Sequence, residues 1–314
     1  MYSGQGSQYK NMGLELYDSE PVFRYWMDKL DKFFIGYTGT SVFDQLYGDK
    51  EKKISTKLIH THLAIFMIEY AISQVLLNKG IYPDTVIGVS LGEFSAAAIN
   101  EVVSPQDCMD LIYNQARIIS ELCPKGKMIS ILTDPQIYDN SSELYNNSEI
   151  VSINFKNNFT ISLLDENESI ITTYLKKNEI GFISLPVEYA FHSSYIENGG
   201  DAYKNYLNSK NILRTKGMAY SQFSSAAIDE LNIVSPGFFW DVVRKTFSFQ
   251  NTIWKVVDNN RVNYLVDLGP SGTLATSCKY IFEESNVVPC TILSPYGRNK
   301  KNLQCFYEDM DTSL

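Results

Sequence analysis

The 314-residue chain is 44% hydrophobic and 13% aromatic, enough to bury one large core or a core that carries an inserted subdomain. Its net charge of −9, with no clustered Lys/Arg stripe, argues against nucleic acid as a partner. No apolar run approaches the ~18 residues of a membrane span, and Met1-Tyr2-Ser3-Gly4 does not read as a signal peptide. An enzyme of the cytoplasm, without membrane attachment, is the default expectation. The five cysteines (Cys108, Cys123, Cys278, Cys290 and Cys305) are odd in number and form no Cys-x-x-Cys pair, so buried thiols are expected, not disulfides or a metal site.

In chain order, Gly4-Gln5-Gly6-Ser7-Gln8 follows Met1 and Tyr2, which can end a first strand, and a glycine-rich turn there can aim backbone N–H groups into a site. Helical apolar spacing runs over residues 11–33, with a break at Asp18-Ser19-Glu20-Pro21 where a second helix can start. A long apolar helix is predicted from Ile59 to Lys79, stopped by Gly80 and Pro83. Val86-Ile87-Gly88-Val89-Ser90-Leu91-Gly92 then places Gly-x-Ser-x-Gly between a β-branched run and the helix-forming Phe94–Ile99 stretch. That is the strand, sharp turn and helix of a nucleophile elbow with Ser90 at its tip, and the helix N-terminus behind it offers N–H groups to an oxyanion. On these residues alone, a Gly-rich turn with a structural serine stays open.

The middle of the chain reads βαββαβ: strands at 128–132, 150–155, 159–164 and 182–187, helices at 135–145 and 169–177. Lys156-Asn157-Asn158 joins two of the strands in a tight hairpin. A unit of this size fits a ferredoxin-like subdomain (127–188) inserted into an α/β hydrolase-like core with a parallel sheet (1–126 and 189–314), with the acyl site expected in the cleft between them. Asn198-Gly199-Gly200 precedes a helix through Tyr206, followed by strands near Met218–Phe223 and Tyr264–Leu268.

Gly4–Gln8, the Ile59-His60-Thr61-His62 start of the long helix, Pro83–Gly88 leading to Ser90, Tyr189-Ala190-Phe191-His192-Ser193 and Val266-Asp267-Leu268-Gly269-Pro270 occur in one order along nearly the whole chain. Together they resemble the acyltransferase family of malonyl-CoA:acyl-carrier-protein transacylases and polyketide synthase acyltransferases. The resemblance implies Ser90 as nucleophile and His192 as base, with an oxyanion hole from the backbone N–H groups of Gln5 and Leu91. It also implies a backbone carbonyl, assigned to Asn232 in Asn232-Ile233-Val234-Ser235-Pro236, to orient the histidine. His62 stands where the family usually has Gln; a hydrogen-bonding role beside the site and an ordinary surface histidine both remain open.

Two departures carry the functional reading. The family's malonyl transferases hold the substrate carboxylate with an Arg that here is Gln115, twenty-five residues after Ser90 and nine before Pro124. Arg117 lies about 200° around a helix from it and should pair with Glu121 instead. A neutral amide cannot offset a carboxylate leaving water, where a charged hydrogen bond contributes about 1.5–3 kcal/mol. The residue before the nucleophile is Val89, where transferases usually carry His. Both losses resemble the acyl hydrolases of trans-acyltransferase polyketide synthases; Phe191, which accompanies malonyl preference in loading enzymes, is then not decisive. The resemblance implies an acyl hydrolase that clears non-carboxylated acyl groups from acyl carrier proteins, with no cofactor of its own because the carrier's phosphopantetheine holds the substrate, and a monomer is expected. A transacylase, a non-catalytic docking protein and an ordinary esterase are the alternatives.

Overall fold

The helix Leu58–Asn78 explains much of the first half of the molecule: its apolar residues are not confined to one stripe, and almost every side chain from Leu58 to Leu76 is buried. A helix apolar all round belongs in a core. Among the described residues it is the one helix long and apolar enough to cross a membrane, and 83% of that window is buried inside the fold. The computed structural model describes residues 1–48, 58–210, 219–221, 226–227, 237–257, 261–283 and 286–313. Two compact units emerge: Met1–Tyr113, Ile212–Tyr220 and Val257–Leu314 form the first, Asn114–Asn211 and Ser221–Val256 the second.

In the first unit, Asn263–Asp267 pairs in parallel with Val287–Thr291. Residues 1–3 extend that arrangement: the Leu268 N–H donates to the Met1 carbonyl (3.0 Å), while Tyr2 makes a parallel bridge to Gly88 and exchanges hydrogen bonds with Ile87 and Val89. The strand Val86–Gly88 therefore ends beside the Gly4–Gln8 turn, and ligand sites in parallel α/β sheets lie off such carboxyl ends. The predicted break before Pro21 is present, between helices Leu14–Ser19 and Pro21–Thr38. The second helix runs five residues beyond the expected 33: Phe34 is buried on the same face, Gly36 stays helical, and the helix ends at Gly39, left-handed at φ 73°. Gly80 (φ 84°) ends the core helix as expected, with the Ile81 N–H closing back on Leu76.

The second unit is built on a five-stranded mixed sheet in the order Phe182–Ser184, Gly126–Ile131, Asn158–Leu164, Glu149–Phe155, Phe247–Ser248; the first four are antiparallel neighbours and the last pair is parallel. Lys156 and Asn157 form the hairpin loop, since Phe155 pairs with Asn158. Ile129, Ile131, Phe159, Ile161 and Leu163 face Tyr138, Leu144, Ile171 and Leu175 from the helices that cover the sheet. The helix expected over 135–145 is two short ones, Gln136–Asp139 and Ser142–Tyr145, because Ser141 leaves helical geometry to cap the second through Leu144 N–H. This unit is larger than 127–188: the second half of helix Pro105–Leu122 and the segments after Val187 pack with it, as when the Gln115 amide donates to the Phe239 carbonyl and Trp240 lies against Gly199 and Tyr203. Of the cysteines, Cys108 and Cys278 are buried as expected, but Cys305 is exposed.

Candidate active site

Ser90 leaves the strand Val86–Gly88 with φ 55°, a left-handed conformation that costs a residue with a side chain about 1–2 kcal/mol. The turn is held by Gly92 N–H to Val89 O (3.0 Å) and Glu93 N–H to Ser90 O (2.9 Å), and the helix Gly92–Ile99 starts at once. A Cβ on Gly92 would lie 2.2 Å from the Tyr2 carbonyl oxygen, and one on Gly88 would lie 2.4 Å from Glu93 backbone. Both glycines flanking the serine are thus demanded by close backbone approach. The glycine-rich turn sits directly against this elbow, for a Cβ on Gly4 would lie 2.7 Å from the Ser90 Cβ. Neither the Gln5 nor the Leu91 N–H is spent on a backbone hydrogen bond among the described residues. Ser90, Gln5, Leu91, Val89 and His62 all lie in the first unit, with Val89 and Leu91 buried.

His62 is buried, which removes the surface reading, and its Nε2 lies 2.6 Å from Oε1 of Gln5. Because an amide oxygen only accepts, Nε2 carries the proton and His62 grips the side chain of the residue whose N–H is assigned to the oxyanion. Burial lowers its pKa to about 3, so it stays neutral. The same amide donates to Thr61 Oγ1 at 3.5 Å.

His192, Phe191 and Gln115 lie in the second unit. His192 also has a left-handed backbone (φ 62°), held where its N–H donates to Val243 O at 2.7 Å. Its Nδ1 is 2.9 Å from the Lys245 carbonyl, and its ring packs edge-on against Phe247. A carbonyl can only accept, so Nδ1 carries the proton and Nε2 keeps the lone pair a general base needs. Burial lowers the pKa to about 4, against the opposing effect of the Lys245 hydrogen bond, and the ring is neutral at physiological pH. The carbonyl seen on Nδ1 is therefore that of Lys245; Asn232, expected in that role, lies outside the described residues. Phe191 is buried edge-on to Tyr189, and its carbonyl accepts from Ser162 Oγ at 2.6 Å.

Gln115 is fully buried; its Nε2 donates to Phe239 O at 2.8 Å, and its Oε1 has no hydrogen-bond partner among the described residues. Arg117 pairs with Glu121 at 3.0 Å on the surface, as its helical position predicts. Two residues tied to these groups were not singled out from the sequence, Lys245 and Glu69. Lys245 acts through its backbone and carries no residue signature; Glu69, a lone carboxylate in the middle of an apolar helix, was a visible signal.

Groups of the kinds that serine acyl transfer uses are present in each unit: the strained serine with its glycine turn in the first, the neutral histidine in the second. The chain belongs to the acyl transferase domain family, which matches residues 1–313. It is 39% identical over 306 residues to the polyketide biosynthesis acyltransferase homolog PksD of Bacillus subtilis (strain 168), covering 96% of this chain and 93% of that protein. The polyketide biosynthesis acyltransferase homolog BaeD of Bacillus velezensis is 38% identical over 307 residues, covering 97% and 94%. Among solved structures, the acyltransferase domain from module 8 of the salinomycin polyketide synthase superposes with a TM-score of 0.85 at 19% identity, over 96% of this chain and 73% of that one. MCAT from Streptococcus pneumoniae gives 0.79 at 21% identity over 98% of each. These two likenesses establish the α/β fold.

Proposed function

We propose that the protein is an acyl hydrolase that removes non-carboxylated acyl groups from acyl carrier proteins in polyketide biosynthesis. The observation that carries the reading is Gln115: buried, neutral, and with its amide nitrogen already committed to Phe239. A malonyl carboxylate beside it would lose water without gaining a counter-charge. The finer fold assignment goes with this reading: a hydrolase-like core supported by the parallel strands that lead to Ser90, and a ferredoxin-like subdomain supported by the βαββαβ order and antiparallel sheet of residues 126–184.

In the proposed reaction, Ser90 Oγ attacks the thioester carbonyl as His192 Nε2 takes its proton, and the Gln5 and Leu91 N–H groups hold the oxyanion. Collapse expels the carrier's thiolate, which receives the proton from His192. Water, deprotonated by the same nitrogen, then attacks the acyl-Ser90 ester; the free acid leaves and Ser90 recovers its proton. Every group needed is a side chain or a main-chain N–H, so no cofactor enters beyond the phosphopantetheine on the carrier. Family membership favours one second reading, in which the thiol of another carrier replaces water.

Incubation with acetyl-, butyryl- and malonyl-loaded carrier protein, read by intact mass, tests the assignment. Free acetate and butyrate with malonyl left on the carrier is the expected result. Transfer to an added second carrier would establish the transacylase instead, and turnover of malonyl at the rate of butyryl would remove the argument from Gln115.

A further inference from the structure

A carboxylate that the acyl-transfer chemistry does not use lies behind the nucleophile. Glu69, in the middle of the core helix Leu58–Asn78, is fully buried. Its Oε1 accepts from the Ser3 N–H at 2.7 Å and lies 3.2 Å from Ser3 Oγ, and its Oε2 accepts from Ser95 Oγ at 2.6 Å. Ser3 immediately precedes Gly4 and Gln5 of the glycine turn, while Ser95 lies in the helix Gly92–Ile99 that begins just after Ser90 and Leu91. One carboxyl group thus ties together the two backbone segments whose N–H groups are assigned to the oxyanion. The turn is pinned from other sides as well: Ser3 Oγ reaches Ser7 Oγ at 3.0 Å, Ser7 Oγ donates to the Gly4 carbonyl at 2.8 Å, and a Cβ on Gly269 would lie 2.1 Å from Ser3 Oγ. Glu69 alone among these groups reaches both the turn and the elbow helix.

We propose that Glu69 is the positioning residue that sets the separation of the Gln5 and Leu91 N–H groups. This rests on the proposed function, in which those two groups receive the oxyanion. Such donors work only when fixed before the charge develops, and a shift of a few tenths of an ångström in one of them weakens the transition state more than the bound ester. The arrangement also explains an acidic residue in an otherwise apolar helix. Burial raises the Glu69 carboxyl to about 8, with Asp267 adding to the rise and the bonds from Ser95 and Ser3 opposing it. A group kept at that cost in an apolar core has its role in the ties it makes.

The test compares Glu69→Leu, Glu69→Gln and Ser95→Ala by kcat and KM on butyryl-loaded carrier, with thermal melting of each variant and Ser90→Ala in parallel. Glu69→Leu should lower kcat about 100-fold with KM within about twofold, the loss expected of one displaced oxyanion donor. Glu69→Gln should stay within about threefold of the parent, because its amide oxygen still accepts from the Ser3 N–H and its nitrogen can donate to Ser95 Oγ. Ser95→Ala removes one tie and should cost about fivefold in kcat, which keeps the test open if Glu69→Leu does not fold. A parental kcat in a folded Glu69→Leu or in Ser95→Ala overturns the proposal, as does an equal loss in the Leu and Gln variants, since Gln can keep both ties. Full turnover by Ser90→Ala would instead overturn the reading on which the proposal rests.

Discussion

Ser90 and His192 are both left-handed residues with side chains, at φ 55° and 62°, yet the two units hold them by different means. The serine is held by absence: Gly4, Gly88 and Gly92 leave room for backbone to approach within distances a single methyl would close. The histidine is held by contact, with Val243 O on its N–H, Lys245 O on Nδ1 and the Phe247 ring packed edge-on with its own. A conformation secured by excluded volume should fail abruptly when an atom is added. One secured by several contacts should weaken by degrees as they are removed.

Under the proposed function, the largest effects are expected at Ser90 and His192. Ser90→Ala should abolish the acyl-enzyme seen by intact mass, and His192→Ala should lower kcat by roughly 10⁴-fold or more, since the two act as a unit. Next, Gly92→Ala forces a methyl toward the Tyr2 carbonyl and should leave little folded protein or a Tm many degrees lower, with activity lost in step. Phe247→Ala, by contrast, removes one of several contacts on His192 and should cost about tenfold in kcat with the fold kept, so comparing its melting curve with that of Gly92→Ala tests the distinction directly.

Smaller still is the effect expected at Gln115. Gln115→Arg should shift the ratio of malonyl to butyryl acylation of Ser90 by about tenfold toward malonyl, since a guanidinium can keep the Phe239 bond and still offer a carboxylate a charged partner. An unchanged ratio in the folded variant would separate Gln115 from the acyl group. The finest test is pH. As the proposed base, His192 must be unprotonated, and with its pKa lowered to about 4 from 6.5 the acid limb of kcat/KM should fall near pH 4. For stability the sign is the same: the unfolded histidine takes up its proton first as pH drops below 6.5, so this contribution to stability is lost between pH 6.5 and 4. An acid limb at 6.5 would mean that His192 is hydrated when it reacts.

The same contrast decides what was legible in the sequence. Glycine at a close approach cannot be replaced, so the elbow and its turn are written in residue identity, and the hairpin at Lys156-Asn157 is likewise fixed by local chemistry. The Lys245 carbonyl could not be read, because any residue carries one and only the fold brings it back fifty-three positions to His192. Residues 135–145 misled for the opposite reason: their apolar spacing suits one helix, but Ser141 has a stronger local use for its hydroxyl as a cap. His62 and Glu69 fall between these cases, since a polar residue among apolar helical neighbours signals a buried partner without saying which one.

Residues 1–3 lie between two strands that are far apart along the chain. Tyr2 pairs with Gly88, while the Met1 carbonyl accepts from Leu268. Contacts of such long sequence separation form late and slowly, since the loop entropy must be spent before they return anything. During synthesis from the N-terminus, the glycine turn cannot gain its Leu268 side until about five-sixths of these residues have left the ribosome. The strand and helix on either side of Ser90 can form well before that, while the turn packed against them is completed only when the far end of the sheet arrives.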